Sequence, residues 1–563
     1  MRSATHTATG GQHAPPGPGA TGSAVDESLR EQVLSAPLDA VVPVWVSLPS
    51  DTETPVSAFL KLRRGGTGFL LESGEHDGRL GRYSFIGAAP DRVLRADLDR
   101  GTVTGDSEVA AYRGAPLDAV RRLAGQTAVW TGGGPVAGSS PTETWGVGGA
   151  DLPGFVGGLV GAFGYDLSRT LERLPVELAD ETGFPAALFA RFHTVLAFDH
   201  ARQQMLAISL LPPSRDHAAR AERLRRARGR IDGVLDALRR GRAPTFQPRP
   251  HRHGVGAALS GPDAGGDDTG HLSTRGVATA GPGGSAARWH PDDGTFLSSV
   301  AEAVRLIRAG EAIQVVLSRR LETGFEGDPF DLYRALRRVS PAPYMFFLEF
   351  PEVTLAGASP EMLVRVEDGA AQVSPIAGTR RRGADPEEDA RLESELRADP
   401  KELSEHVMLV DLGRNDLGRV CRAGSVHVPR LMEVDRFSHV MHLVSVVTGR
   451  LREGVDALDA FAACFPAGTV SGAPKVRAME LIEELETTRR GAYAGAVAHI
   501  APGATSLDAC ITIRTIVIRR GRATVQAGAG VVADSIPRRE LAETAEKARA
   551  LIEALEQTGG LQP

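Results

Sequence analysis

Asp399-Pro400-Lys401-Glu402-Leu403-Ser404-Glu405-His406-Val407-Met408-Leu409-Val410-Asp411-Leu412-Gly413-Arg414-Asn415-Asp416-Leu417 opens on a proline and carries two glutamates three residues apart. Proline suits the first helical turn, because the donor it lacks would be unpaired there, and residues three apart share a face. The stretch therefore reads as a helix whose start presents Glu402 and Glu405 together. Ile536-Pro537-Arg538-Arg539-Glu540-Leu541-Ala542-Glu543 repeats the arrangement with Glu540 and Glu543. If the two faces meet, hard carboxylate oxygens converge, a donor set that suits Mg2+ better than zinc. Acidic residues also favour helix starts for dipole reasons alone, so either stretch by itself reads as a solvated helix start.

Working outward, 288–557 alternates strands and helices. Phe296, Val300, Val304 and Ile307 mark a helix, Ile313 to Leu317 a strand, and Ala542 to Leu555 a final helix. Upstream, 40–212 is a sheet-rich region of short β-prone runs such as Val44–Leu48 and Val195–Phe198 between Gly/Pro turns. The segment 213–247 reads as a charged covering helix with an apolar stripe of Leu224, Ile231, Val234, Leu235 and Leu238. In 248–287 large apolar residues are almost absent, which predicts a flexible insertion whose His251 and His253 are solvated. Residues 1–35 read as a disordered extension, neither secretory signal nor membrane anchor.

With 42% hydrophobic and 24% charged residues among 563, the chain is globular in composition, and no apolar run approaches the ~20 residues that span a bilayer. A net charge of −6 without a basic concentration gives no support to a nucleic-acid partner. Cys421, Cys464 and Cys510 are odd in number and widely spaced, which points to a reducing, cytoplasmic setting and away from a cysteine metal site.

Thr524 to Val532 reads as a strand breaking into a glycine turn at Gly528-Ala529-Gly530, where backbone N–H groups could approach an anion; a tight turn alone is as common a reason for such glycines. Ala467 to Lys475 lacks the G-K-[ST] of a nucleotide phosphate loop, and Thr469 offers a hydroxyl there. His442 shares a strand face with Val440, Val444 and Val446, and is either a packed core residue or a neutral base. Arg514, inside the apolar strand read over Ile511 to Thr515, needs a carboxylate from protein or ligand as partner.

Taken in order, Pro375-Ile376-Ala377-Gly378-Thr379-Arg380-Arg381-Arg382-Gly383, Glu405 to Leu417, the His442 strand, Ala467 to Lys475 and the Gly528 segment resemble the chorismate-utilising enzymes, and among them component I of the anthranilate synthases. The resemblance is dense from about Phe296 to Leu555 and extends upstream through Leu70-Leu71-Glu72-Ser73 and Gly157-Gly158-Leu159-Val160-Gly161. It implies an α/β (α+β) architecture of large antiparallel sheets with helices outside. It also implies a reaction: ammonia adds at C2 of chorismate, the C4 hydroxyl departs, and pyruvate is eliminated to leave anthranilate for tryptophan biosynthesis.

By matching position, the resemblance makes Glu405 and Glu543 ligands of Mg2+, with Glu402 and Glu540 in support. Gly378, Thr379, Thr469, Tyr493, Arg514, Gly528, Ala529 and Gly530 would hold the substrate carboxylates, and Lys547 would add positive charge. Glu361 matches the acid for the departing hydroxyl and His442 the residue tied to elimination. Gln314 stands where water-adding relatives carry a lysine base, and glutamine cannot take a proton from water. Ala377 stands where aminodeoxychorismate synthases carry a lysine nucleophile. Glu72, Ser73, Pro343, Tyr344, Met345 and Phe346 match a tryptophan feedback site, although Ser340, Ala342, Ala498 and His499 depart from its usual surroundings. The chain shows no nucleophilic cysteine in a Gly-x-Cys-x-Gly setting, so ammonia is expected from a separate glutamine amidotransferase subunit in a hetero-oligomer. Two other readings are an enzyme that stops at 2-amino-2-deoxyisochorismate for specialised metabolism, and a silent binding subunit.

Overall fold

The computed structural model describes residues 18–63, 65–74, 81–105, 108–139, 142–175, 178–241, 287–436 and 440–559. Among these, two large sheets form, and the paired strands within each are antiparallel. The first includes, side by side, Gln314–Gly324, Arg522–Val531, Thr515–Arg519, Thr354–Ser359, Tyr344–Glu349 and Gly68–Glu72, and continues to Val42–Pro49 and Thr144–Gly148. The second includes Ile376–Arg381, Val440–Arg450, Ala370–Val373, Met362–Glu367, Leu507–Ile511, Ala496–Ile500, Gly158–Phe163 and Ala187–Phe192. Each sheet therefore takes strands from both 40–212 and 288–557. Gly68–Glu72 pairs with Tyr344–Glu349, and Gly158–Phe163 with Ala496–Ile500.

Period-two alternation explains the layering. On Val42–Pro49, Val44 and Val46 face a core shared with the helices, while Trp45 faces the other sheet. Phe69, Phe346, Val160, Leu188 and Val497 join Trp45 in a core that takes residues from both sheets. Helices His217–Arg240, Pro329–Val339 and Pro537–Gln557 cover the first sheet, burying Leu224, Ile231, Phe330, Leu336 and Leu551. Each such side chain taken from water contributes roughly 1.5–3 kcal/mol.

Three readings change. Residues 18–35, expected to be disordered, form a helix with Val25, Leu29 and Val33 buried in the first core; their spacing of four places them on one face. Strand Arg522–Val531 runs without a break through Gly528 and Gly530, so the expected glycine turn is absent. Arg514 lies outside the strands, in the connection between Leu507–Ile511 and Thr515–Arg519 at φ 47°, a left-handed conformation incompatible with a strand ladder. The charged helix spans His217–Arg240 with Val234 only partly buried. His251, His253 and the insertion up to residue 286 lie outside the described residues, as do residues 1–17.

Candidate active site

Helix Pro400–Gly418 begins as its proline predicts. Asp399 caps it, accepting from the amides of Lys401 at 3.0 Å and Glu402 at 3.4 Å. Asp399 also binds Arg380 Nη2 at 2.7 Å, and Arg380 Nη1 lies 3.3 Å from Glu402. Glu402 is thus an ion-pair partner of strand Ile376–Arg381. Glu405, one turn on, instead accepts from Gln314 Nε2 at 3.3 Å. The two glutamates of one helix face have been given different neighbours.

Helix Pro537–Gln557 places Glu543 against Lys547, whose Nζ lies 2.7 Å from it and donates to Gly528 O at 3.0 Å. Glu540 is buried, which pushes its carboxyl pKa up; Glu543 adds to the rise, and Ser535, Lys401 and Lys547 oppose it.

Between them runs the glycine strand. A Cβ on Gly528 would sit 2.5 Å from the Tyr493 hydroxyl, and one on Gly530 2.7 Å from Gln314 Nε2. Both glycines are there to leave room for functional side chains. Ala529 points to the opposite face and is buried.

Glu361 follows strand Thr354–Ser359 and accepts from the Thr469 hydroxyl at 2.9 Å. Burial of its carboxyl pushes the pKa up to about 7, against the Thr469 hydrogen bond and the positive charges of Lys547 and Arg514. Such an acid retains its proton in a large fraction of molecules at neutral pH. Thr469 is itself held by a buried pair that the sequence reading missed. Arg490 binds Glu486 at 2.7 Å and donates to Val470 O at 2.7 Å and Val316 O at 2.6 Å, tying the Thr469 turn to strand Gln314–Gly324. The i,i+4 spacing of Glu486 and Arg490 was the signal available.

His442 stands on the less buried face of strand Val440–Arg450; Met441, Leu443 and Val447 form the core face. It is therefore no packed core histidine. Its Nδ1 lies 3.0 Å from both Thr379 Oγ1 and Gly378 O. A carbonyl only accepts, so Nδ1 carries the hydrogen and Nε2 is the basic nitrogen of the neutral ring. Burial lowers the imidazole pKa, Gly378 O opposes, and Arg514 lowers it further. The bulge that presents Thr379 occurs at Gly378, φ 67°, where a Cβ would also lie 2.9 Å from Leu396.

The residues named from the sequence thus form one ring. Glu405, Gln314 and Gly530 lead to Gly528, Tyr493, Lys547 and Glu543; Lys547 and Arg514 act on Glu361 beside Thr469; Arg514 also acts on His442, which meets Thr379 and Gly378. A carboxylic acid, a neutral imidazole, two more carboxylates and two cations, Lys547 and Arg514, lie in that ring, a set suited to binding and acid–base chemistry on a small anion. Separately, Glu72, Ser73, Pro343, Tyr344, Met345 and Phe346 all line a cavity of 440 Å³. In it His499 packs on Phe155 with ring centroids 4.6 Å apart, and Asp508 accepts from Tyr344 at 3.1 Å and Arg365 at 2.8 Å.

Residues 136–553 match the family model described as chorismate binding enzyme. The chain belongs to the chorismate binding enzymes. This chorismate binding enzyme is 44% identical over 524 residues to anthranilate synthase component 1 of Mycolicibacterium smegmatis, covering 92% of this chain and 91% of that one. Its structure is similar to anthranilate synthase component I of Streptococcus pneumoniae, with a TM-score of 0.67 and 32% identity over 90% of this chain and 98% of the other. The menaquinone-specific isochorismate synthase of Escherichia coli shares the fold, with a TM-score of 0.61 at 18% identity, covering 95% of this chain and 100% of that one.

Among the described residues no group of three or more His, Cys, Asp or Glu gathers to hold an ion. The buried Gln314 Oε1, beside Glu405, has no hydrogen-bond partner among the described residues, and with the Glu405 and Glu543 carboxylates it would offer a sparse set of hard oxygens. Mg2+ is commonly bound by one or two carboxylates, leaving positions for substrate oxygens and water, so the donors fit that ion. Among the described residues no helix is long and apolar enough to cross a membrane, and all three cysteines are buried and free.

Proposed function

We propose that this chain is the chorismate-converting component of an anthranilate synthase. It adds ammonia at C2 of chorismate, releases the C4 hydroxyl as water and eliminates pyruvate to leave anthranilate. The names shared by its relatives support this reading. The observation that carries it in this chain is Gln314, whose amide sits 3.3 Å from Glu405 where a hydrating enzyme needs a base. Water is a weak nucleophile unless a base takes its proton as it attacks, whereas neutral ammonia attacks unaided and sheds its extra proton once the C–N bond has formed. Lys547 does not supply the missing base, because it is engaged by Glu543 and Gly528 O.

Glu361 holds the proton that the departing hydroxyl takes, and Thr469 fixes the orientation of that acid. Arg514, Lys547, Tyr493 and Thr379 bind and orient the two substrate carboxylates. His442, neutral and hydrogen-bonded through Nδ1, accepts the ring proton whose loss accompanies departure of the pyruvyl group. Held by Glu405 and Glu543, Mg2+ would supply positive charge to the ring carboxylate.

The component naming of the relatives supports a second subunit, a glutamine amidotransferase that delivers ammonia. Tryptophan as inhibitor in the 440 Å³ cavity and a cytoplasmic location complete the proposal. Incubating the chain with chorismate, Mg2+ and ammonium tests it. Equimolar anthranilate and pyruvate are expected; isochorismate or a non-aromatic amine as the end product would refute it.

A further inference from the structure

The strands that wall the candidate active site continue to a second cavity of 330 Å³. Register places Ser318 opposite Gly528, Arg320 opposite Gln526 and Glu322 opposite Thr524, all on the face that carries Gln314 and Gly530 further along. The near end of that face serves the catalytic ring, and the far end lines this cavity. Tyr493 borders both. Between them stands a polar partition: Gln526 Nε2 donates to Ser318 Oγ at 2.9 Å, Ser318 donates to Glu486 at 2.8 Å, and Glu486 binds Arg490.

Charge in the cavity is unbalanced. Arg490 is neutralised by Glu486. Arg320 meets Glu181 at 3.0 Å and Glu322 at 2.8 Å, and Glu322 is shared with Arg522 at 3.3 Å. Arg519 donates to the Thr182 carbonyl, and neither it nor Arg520 has a carboxylate partner among the described residues. Hydrogen bonding is unbalanced too. Arg320 is 4% exposed, yet among the described residues its Nη1 has no acceptor, and neither does the buried Thr512 Oγ1. A buried donor left unpaired costs about 1–3 kcal/mol, so both groups call for an acceptor that the described residues do not provide.

We propose that this cavity is a second ligand site, for a small carboxylate or phosphate anion, seated against Arg320 and Thr512 and neutralised by Arg519 and Arg520. Guanidinium forks pair with planar carboxylates and with phosphates in the same two-bond geometry, and a cleft lined by one sign of charge concentrates their field on the ligand. The volume admits a ligand at the small end of the usual range. The site stands apart from the reading of the catalytic ring, because none of its anion-holding groups belongs to that ring.

Calorimetric titration of the full chain with inorganic phosphate and, separately, with pyruvate tests this. Saturable one-to-one binding of at least one anion is expected, weakened tenfold or more in Arg520→Gln and in Arg320→Gln. Arg520 is exposed, so its replacement leaves the core untouched even where Arg320→Gln fails to fold. Binding of phosphate alone assigns the site to phosphate-bearing ligands, and binding of pyruvate alone to carboxylates. Absence of saturable binding with both anions, or binding undiminished in Arg520→Gln, overturns the proposal; the latter places the anion in the catalytic ring.

Discussion

The Thr469 hydroxyl donates to Glu361 at 2.9 Å, and this contact, ahead of the positive charges of Lys547 and Arg514, opposes the burial that raises the Glu361 pKa to about 7. A general acid must be protonated to act, so kcat/KM should fall as pH rises through about 7. Removing the contact in Thr469→Val leaves burial less opposed and moves that limb to higher pH. Glu361→Gln cannot donate a proton and should lose roughly 10²–10⁴-fold in turnover. Steady-state rates measured from pH 5 to 9 decide both; a limb unmoved in Thr469→Val would sink the assignment.

Gly528→Ala places a methyl group 2.5 Å from the Tyr493 hydroxyl. Forcing atoms into a filled space typically costs about 1–3 kcal/mol, and here the strain falls on Tyr493, proposed above to orient the substrate. Anthranilate formation should drop at least tenfold. Tyr493→Phe removes the clashing oxygen, so the double variant should recover part of what the single variant loses. A strictly additive double-mutant cycle would disprove the steric account.

Arg514 holds the His442 imidazole pKa down, after burial and against the Gly378 carbonyl. Replacing it in Arg514→Gln removes a positive charge that disfavours the imidazolium. The His442 pKa should therefore rise, bringing protonation and loss of the base to a higher pH. NMR titration of the His442 ring in both proteins reads this directly. A fall or no change would contradict the geometry.

Chelation by EDTA should abolish turnover, and Mg2+ should restore it. Glu405→Ala and Glu543→Ala should each raise the Mg2+ needed for half-activation or abolish activity, whereas Glu402→Gln, which loses only the Arg380 contact, should retain more. Full activity in Glu405→Ala would refute its role as a ligand.

Tryptophan should inhibit by binding the 440 Å³ cavity, with Tyr344→Phe, which loses the bond to Asp508, altering the inhibition constant. Activity unchanged at saturating tryptophan would exclude that ligand.

Much of this was legible in the chain. The Pro400 and Pro537 helix starts followed from local rules, because proline and capping act within one turn. What faced each glutamate was not legible: Glu402 turns to Arg380 and Glu405 to Gln314 through contacts made across the fold. Gly528 and Gly530 read as a turn in the sequence because a glycine needed for space and one needed for backbone freedom look alike there. Arg514 was assigned to a strand because its neighbours are β-branched, and nothing local marks its left-handed backbone. Helix Pro18–Ser35 was hidden by glycine and alanine before Val25, Leu29 and Val33.

Strand Gln314–Gly324 keeps every functional side chain on alternate positions: Gln314 beside Glu405, Ser318 on Glu486, Arg320 in the second cavity. Losing or gaining one residue in it would turn that whole row into the hydrophobic interior at once. Descendants of this chain can therefore acquire new chemistry by exchanging side chains along the strand, while its length is closed to drift.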